Sequence, residues 1–591
     1  MEEQPEPAPA PSAPPPIMED ETEPEPAPSP VELDPPSKTT LPDMVGIEPG
    51  DPTVLNMGEI QPINYERFVT SAACSMCHSN HESATAMRDS EGRELGPFDL
   101  WQGTMMANSA RDPLWVASVS AEVAQTPSRK IEIEAKCMRC HAPMASVTAR
   151  AAGQKPEMAD LFDTGSGPSI VGLDGVACAV CHQIQKRGLG TERTFGGEFE
   201  IGTDRIIYGP HRDPATGPMQ AHVQYTPTYS NHVTNSALCG SCHTLFTHPY
   251  DADGVEDTET RFPEQATYLE WLNSSFAEVD TSCQDCHMPT TSEDEVPIET
   301  RIARAPPGFD FNIRTRSPFG RHIFSGANTL IPEMLKRERA ILNPQASDAA
   351  FDMTIANARR YLREKASGLT WSDVDLQDGS LRFDITVGNQ AGHKFPTGIP
   401  IRRVWLKVVV TTTDGAVLYR SGAVNESGRL IDQLGEVLDI EKAGGPWEPH
   451  HQVISRHDAV QIYETIMGDG EGAYTYLLTR AASYLKDNRL LPLGFSEASS
   501  RYEDTQPRGV ETDDNFGPGQ DTVRYVIPVG AAQSAQIEVA LLYQTAGARF
   551  VSELFQNDTD EVRAFRTMYE RADLTPVEVV RVSFDHLGGV D

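Results

Sequence analysis

Over the last third of the chain, apolar and polar residues take turns with a period of two. Leu381, Phe383, Ile385 and Val387 alternate with Arg382, Asp384 and Thr386, which predicts a strand with one face on a core. Segments 404–411 and 416–419 flank Asp414-Gly415, a hairpin signal. Further strands are predicted at 523–529, 537–543 and 577–584, interrupted by helices near 474–486 and 558–571. The pattern reads as a β-sandwich-like domain over 371–591.

Upstream the period changes. Residues 347–367 space their apolar side chains as an amphipathic helix, within a connecting segment 336–370. Before it, 46–335 predicts short helices among many loops and little sheet. One clear helix starts at Pro97 and Asp99, carries Trp101, Met105, Ala107 and Ala110, and ends near Asp112-Pro113. In residues 1–45, 13 Pro and 10 acidic residues precede Lys38, the first basic one. Such a segment buries no core and is expected to be disordered, extended and solvated, either as a tether or as a plain terminal tail.

The cysteines set 46–335 apart. All ten fall into one five-residue pattern that occurs five times: Cys74, Cys77, His78; Cys137, Cys140, His141; Cys178, Cys181, His182; Cys239, Cys242, His243; Cys283, Cys286, His287. C-x-x-C-H is the attachment signature of c-type haem, two thiols for the porphyrin vinyls and an imidazole under the iron. Zinc is the rival, because C-x-x-C half-sites also build four-ligand centres. Five half-sites do not pair off evenly, however, and each pair is followed at once by His. The expectation is five covalently bound haem c groups, under 60 residues for each, so the porphyrins supply much of the apolar interior. The predicted fold class is multidomain α+β: a disordered Pro/Glu-rich N-terminus, a loop-rich, mainly helical pentahaem domain at 46–335, and the β-sandwich-like domain without haem.

Composition narrows the setting. With 591 residues, 23% of them charged, and a mean hydropathy of −0.40, the chain contains no run of 18 apolar residues and no transmembrane segment is expected. A net charge of −37 speaks against nucleic acid or anionic lipid and favours basic partners or cations. Haem is attached to this motif outside the cytoplasm, so a periplasmic or extracellular location is expected. The opening MEEQPEPAPA has neither a basic n-region nor an apolar h-region; the numbering is read as starting after processing or downstream of the true start.

The sixth iron ligand decides function, since a second strong ligand gives an electron carrier and an open position gives a substrate site. Candidates are His211, His222 and His232, in a Pro- and Gly-punctuated loop ahead of the fourth motif, and His322, past the last one. His81, His248 and His393 are weaker candidates beside ordinary surface or turn roles. Met106 is either core filler or a thioether ligand. The acidic run at 251–259 lacks EF-hand spacing and reads as a solvated loop.

These stretches resemble a known family, the multihaem cytochromes c related to cytochrome c554. The resemblance is carried by 101–107, by CMRCHAPM at 137–144, by DGVACAVCH at 174–182, by the block 208–243 and by the loop 322–328. Relatives often place a haem-ligating His where this chain has Met106, so the resemblance implies either one His/Met haem or one open site. GHKFPTG at 392–398 and the residues after it resemble a haem-free β domain appended to some multihaem cytochromes. The implied role is an extracytoplasmic electron carrier of respiration, as a shuttle, a redox-complex subunit or a self-associating filament subunit, with other redox proteins or cytochromes as partners. The alternative is a multihaem oxidoreductase with one open haem acting on a small nitrogen or sulfur compound.

Overall fold

Two sheets face each other in the C-terminal half of the computed structural model, which describes residues 44–530 and 534–586. Nearly all of the expected N-terminal tail lies outside those residues. The first sheet runs Asp375–Gln377, Ser380–Asn389, Gln520–Pro528, Val453–Ile454, with Ser367–Trp371 also paired to Ser380–Asn389. The second runs Val417–Ser421, Arg403–Thr411, Ala535–Gln544, Val577–His586, with Ile462–Tyr463 paired to Arg403–Thr411. Within these two sheets every pairing is antiparallel except that of Val453–Ile454 with Gln520–Pro528.

Alternation explains the core. Ser380–Asn389 buries every second residue, and Leu381, Phe383, Ile385 and Val387 meet Val404, Leu406, Val408 and Val410 of the other sheet in one apolar cluster. Phe383 lies opposite Tyr525 in register, with ring centroids 5.4 Å apart and planes 10° from parallel. Each such buried side chain stabilises the fold by about 1.5–3 kcal/mol.

Three predicted helices differ from the structure. The stretch near 474–486 is instead a strand Tyr474–Thr475, a 3₁₀ turn Leu478–Arg480 and a strand Ser483–Asp487. Pairing with Thr465–Gly468 overrides its local helical preference. The helix from Pro97 stops at Trp101. Gly103 turns the chain there, so close to the next layer that a Cβ would sit 2.4 Å from the Ala350 carbonyl. A new helix, Pro113–Gln125, starts with Asp112 accepting from Leu114 N at 2.9 Å. The amphipathic helix spans Asp348–Tyr361, and a π turn Leu362–Ala366 leads straight into Ser367–Trp371.

The two halves share packing. Val551, Leu554, Phe555, Phe565 and Met568 join the same apolar cluster as Leu114, Trp115, Ile133 and Ile331, so helices Ala548–Leu554 and Asp560–Tyr569 complete the N-terminal core. Ser120 Oγ and Glu561 Oε2 lie 2.7 Å apart across this seam. The described residues of both halves accordingly group as one compact unit. Among the described residues no helix is long and apolar enough to cross a membrane.

Glu122 also bridges the halves, accepting from Leu478 N at 2.6 Å and Thr479 N at 3.3 Å. Burial pushes its carboxyl up to about 7 from an ordinary 4.5. The folded chain therefore holds a proton that the unfolded chain has lost, so stability falls as pH rises from about 4.5 to about 7. Glu122→Gln is expected to flatten that fall, as measured by thermal unfolding across the interval. Phe383→Ala is expected to cost about 3–5 kcal/mol, read from the denaturant midpoint.

Candidate functional site

Each motif sits on or at the end of a short helix: Ser71–His78, Lys130–His141, Cys178–Cys181, Ser236–Gly240 and Cys283–His287. One helical turn puts residues three apart on the same face, so both thiols of a motif point the same way. Local caps fix these brief helices. Asn235 Oδ1 accepts from Ala237 N at 2.8 Å, and Ser282 with Asp285 forms a reciprocal capping box. Arg304, 6% exposed, closes the first helix by donating to the carbonyls of Met76 at 2.8 Å and Ser79 at 2.7 Å.

The motifs converge. Cys74 lies beside Cys178, Cys140 beside Cys242, and Cys239 beside Cys283, each pair near enough for its thiols to perturb one another; Cys181 also feels Cys242. Five motifs spread over more than 200 residues of sequence thus form one connected group. All ten cysteines are free. Burial pushes Cys181 up to about 12, while the neighbouring Cys239 thiol holds Cys283 down at about 7.

Four of the motif histidines share one pose. His78 Nδ1 donates to the Ile302 carbonyl at 2.9 Å, His141 Nδ1 to Ser109 at 3.0 Å, His182 Nδ1 to Tyr208 at 2.7 Å and His287 Nδ1 to Ser325 at 2.7 Å. A carbonyl only accepts, so the proton sits on Nδ1 and Nε2 keeps its lone pair, as a metal-bound imidazole requires. Burial holds His141, His243 and His287 down at about 4 and lowers His78 and His182 as well. These rings are neutral at neutral pH, the form that ligates. Trp115 lies flat on His141, with centroids 4.5 Å apart and planes 3° from parallel.

Two further histidines face motif rings. His322 lies 6.4 Å from His182 between centroids, with planes 23° apart, and His393 lies 6.4 Å from His287 with planes 14° apart. Each newcomer also commits Nδ1 to a carbonyl, His322 to Gly320 at 3.0 Å and His393 to Lys394 at 2.8 Å. Two metal–imidazole bonds of about 2 Å, together with the ring radii, span the same separation.

The other candidates are placed differently. His232 has both nitrogens engaged, Nδ1 with Ser230 Oγ at 2.7 Å and Nε2 with the Ile184 carbonyl at 2.8 Å, so as placed it offers no free nitrogen. His222 is exposed on Thr216–Val223, and His211 is half-buried in the loop after Ile206–Gly209. His81 Nδ1 accepts from Ser83 N at 3.2 Å, and His248 Nδ1 bonds the Thr260 carbonyl at 2.7 Å. Met106 lies in a turn rather than a helix, its carbonyl accepting from Val176 N at 2.9 Å beside the third motif. Sequence reading did not find Arg304 or Trp115; no local pattern marks either.

The donor set fits haem better than zinc. Among the described residues, the one group of three His, Cys, Asp or Glu ligand atoms within 4.8 Å of one another is His450, Asp513 and Asp521. It contains no cysteine, so the C-x-x-C half-sites do not close into multi-ligand centres. Nor is that group poised for a cation. Gln461 and Asn488 amides donate to His450 Nδ1 at 2.9 and 3.1 Å, which leaves Nε2–H donating to Asp513 at 2.9 Å.

No family model matches the sequence, and no curated protein matches it. Among solved structures, the fold is similar to a penta-heme cytochrome c552 from Thermochromatium tepidum, with 14% identity, a TM-score of 0.47, and coverage of 88% of this chain and 100% of that one. The likeness is slight.

Arg304→Ala strips the part-buried carbonyl contacts at Met76 and Ser79 of a charged donor. It is expected to cost about 1.5–3 kcal/mol, measured as a fall in the denaturant midpoint of the holoprotein.

Proposed function

We propose that this chain is an exported pentahaem cytochrome c that carries electrons between redox partners. What supports the reading most is the pose of the motif histidines. Four of the five donate Nδ1 to a backbone carbonyl and keep Nε2 free, within one connected group of ten free thiols. In this reading Cys74, Cys77, Cys137, Cys140, Cys178, Cys181, Cys239, Cys242, Cys283 and Cys286 hold five haems by thioether bonds. His78, His141, His182, His243 and His287 are the proximal ligands, and His322 is the axial partner of His182.

When bound, haem c supplies one-electron chemistry at iron. The chain holds each imidazole in one tautomer and orientation through its carbonyl partner. Its burial keeps the rings neutral and limits access of water, and Arg304 lays a positive charge beside the first motif. The acidic surface favours basic redox partners, and attachment of haem to this motif outside the cytoplasm supports a periplasmic or extracellular site.

Mass spectrometry of the intact holoprotein is expected to show five covalent haems, with a c-type absorption spectrum that responds to reductant. A colourless protein, or one whose thiols titrate as free, sinks the proposal. His322→Ala is expected to convert one haem in five from low to high spin in the EPR spectrum, with the haem count unchanged.

A further inference from the structure

We infer that the β half of the chain is a ligand donor: His393 supplies the second axial imidazole at the fifth motif, opposite His287, and a buried ion cluster holds it there. The inference rests on the haem reading above. His287 and His393 come from different halves of the chain, 106 positions apart in sequence, yet their rings are near-parallel at 6.4 Å. Both Nδ1 atoms are committed to carbonyls, Ser325 and Lys394, so on both rings Nε2 is the nitrogen with the lone pair.

The loop bearing His393 is rigidly seated. Its own carbonyl accepts from Asn389 Nδ2 at 2.8 Å. Gly392 lies against Phe276 and Trp271, where a Cβ would come within 3.2 and 3.4 Å of them, and Trp271 is tied to the Thr281 carbonyl at 2.9 Å. Thr281 lies two residues ahead of Cys283, so one aromatic side chain touches both the histidine loop and the motif's approach.

Charge completes the seat. Lys394, fully buried, pairs with Asp487 at 2.7 Å; Asp487 pairs with Arg489 at 2.8 Å; Arg489 pairs with Glu270 at 2.9 Å. Glu270 also accepts from Lys394 N at 3.2 Å. Three members belong to the β half, and Glu270 belongs to the helix Thr267–Leu272 of the motif-bearing half. Glu270 supplies the second carboxylate against two cations, so the charges balance only when the halves are docked. Docking and ligation at the fifth motif are therefore one equilibrium, with Glu270 as a positioning residue.

The test uses the full-length holoprotein and counts haems by mass before reading spin state. His393→Ala is expected to move one haem in five to high spin with five haems retained, and added imidazole to return it to low spin. His393→Met is expected to keep that haem low-spin with a sulfur-to-iron charge-transfer band. Glu270→Gln is expected to give a smaller high-spin fraction at the same haem. Five haems with an unchanged low-spin spectrum in both His393 variants overturn the inference and leave the haem reading standing. Absence of haem from the unmodified protein overturns both.

Discussion

A hydrogen bond from ring nitrogen to backbone carbonyl governs the motif-bearing half. Four motif histidines make it, and the carbonyls come from distant loops: Ile302 for His78, Ser109 for His141, Tyr208 for His182 and Ser325 for His287. Each of these rings can be oriented only if its partner loop is already in place, so the long connections are structural members. This is why the region looks irregular and yet is densely packed. Its helices are too short to stand alone, and the loops hold them by reaching back to the histidines.

The seam between the halves follows a different rule. Lys394, Asp487, Arg489 and Glu270 bury four charges that balance only together, and removing one partner of such a set typically costs about 3–5 kcal/mol. Apolar contact alone is less specific, since a hydrophobic seam tolerates sliding and repacking. Ion geometry does not, and a ring that must face His287 needs that fixity. On another side the Glu122 contact with the 477–480 loop and the Ser120–Glu561 contact add directional hydrogen bonds without ion pairs.

Much of this was legible in the sequence for identifiable reasons. The strands at 381–387 and 404–411 announced themselves because one face is buried, which imposes strict alternation. The motif cysteines did so because one five-residue spacing recurs five times and uses up all ten. The partners of the motif rings were harder. His322 and His393 stand 140 and 106 positions beyond the rings they face, and only tertiary structure decides which loop histidine arrives. His232 looked the same in sequence, but Ser230 and Ile184 occupy both its nitrogens. Residues 474–486 read as helix because their local preference is helical, and the neighbouring strand Thr465–Gly468 captured them. Glu270 and Arg489 are ordinary surface residue types, and nothing in their neighbourhoods marks them as buried.

The return of helices Ala548–Leu554 and Asp560–Tyr569 to the N-terminal core has a consequence for assembly. A chain that emerges vectorially presents all five C-x-x-C-H sites long before Val551, Phe555 and Phe565 can close over Trp115 and Ile133. On the haem reading proposed above, attachment would meet pliable, reachable sulfurs, and the interior seals only once the distal helices arrive. Delayed closure of this kind gives covalent chemistry a time window that an early-folding core would shut.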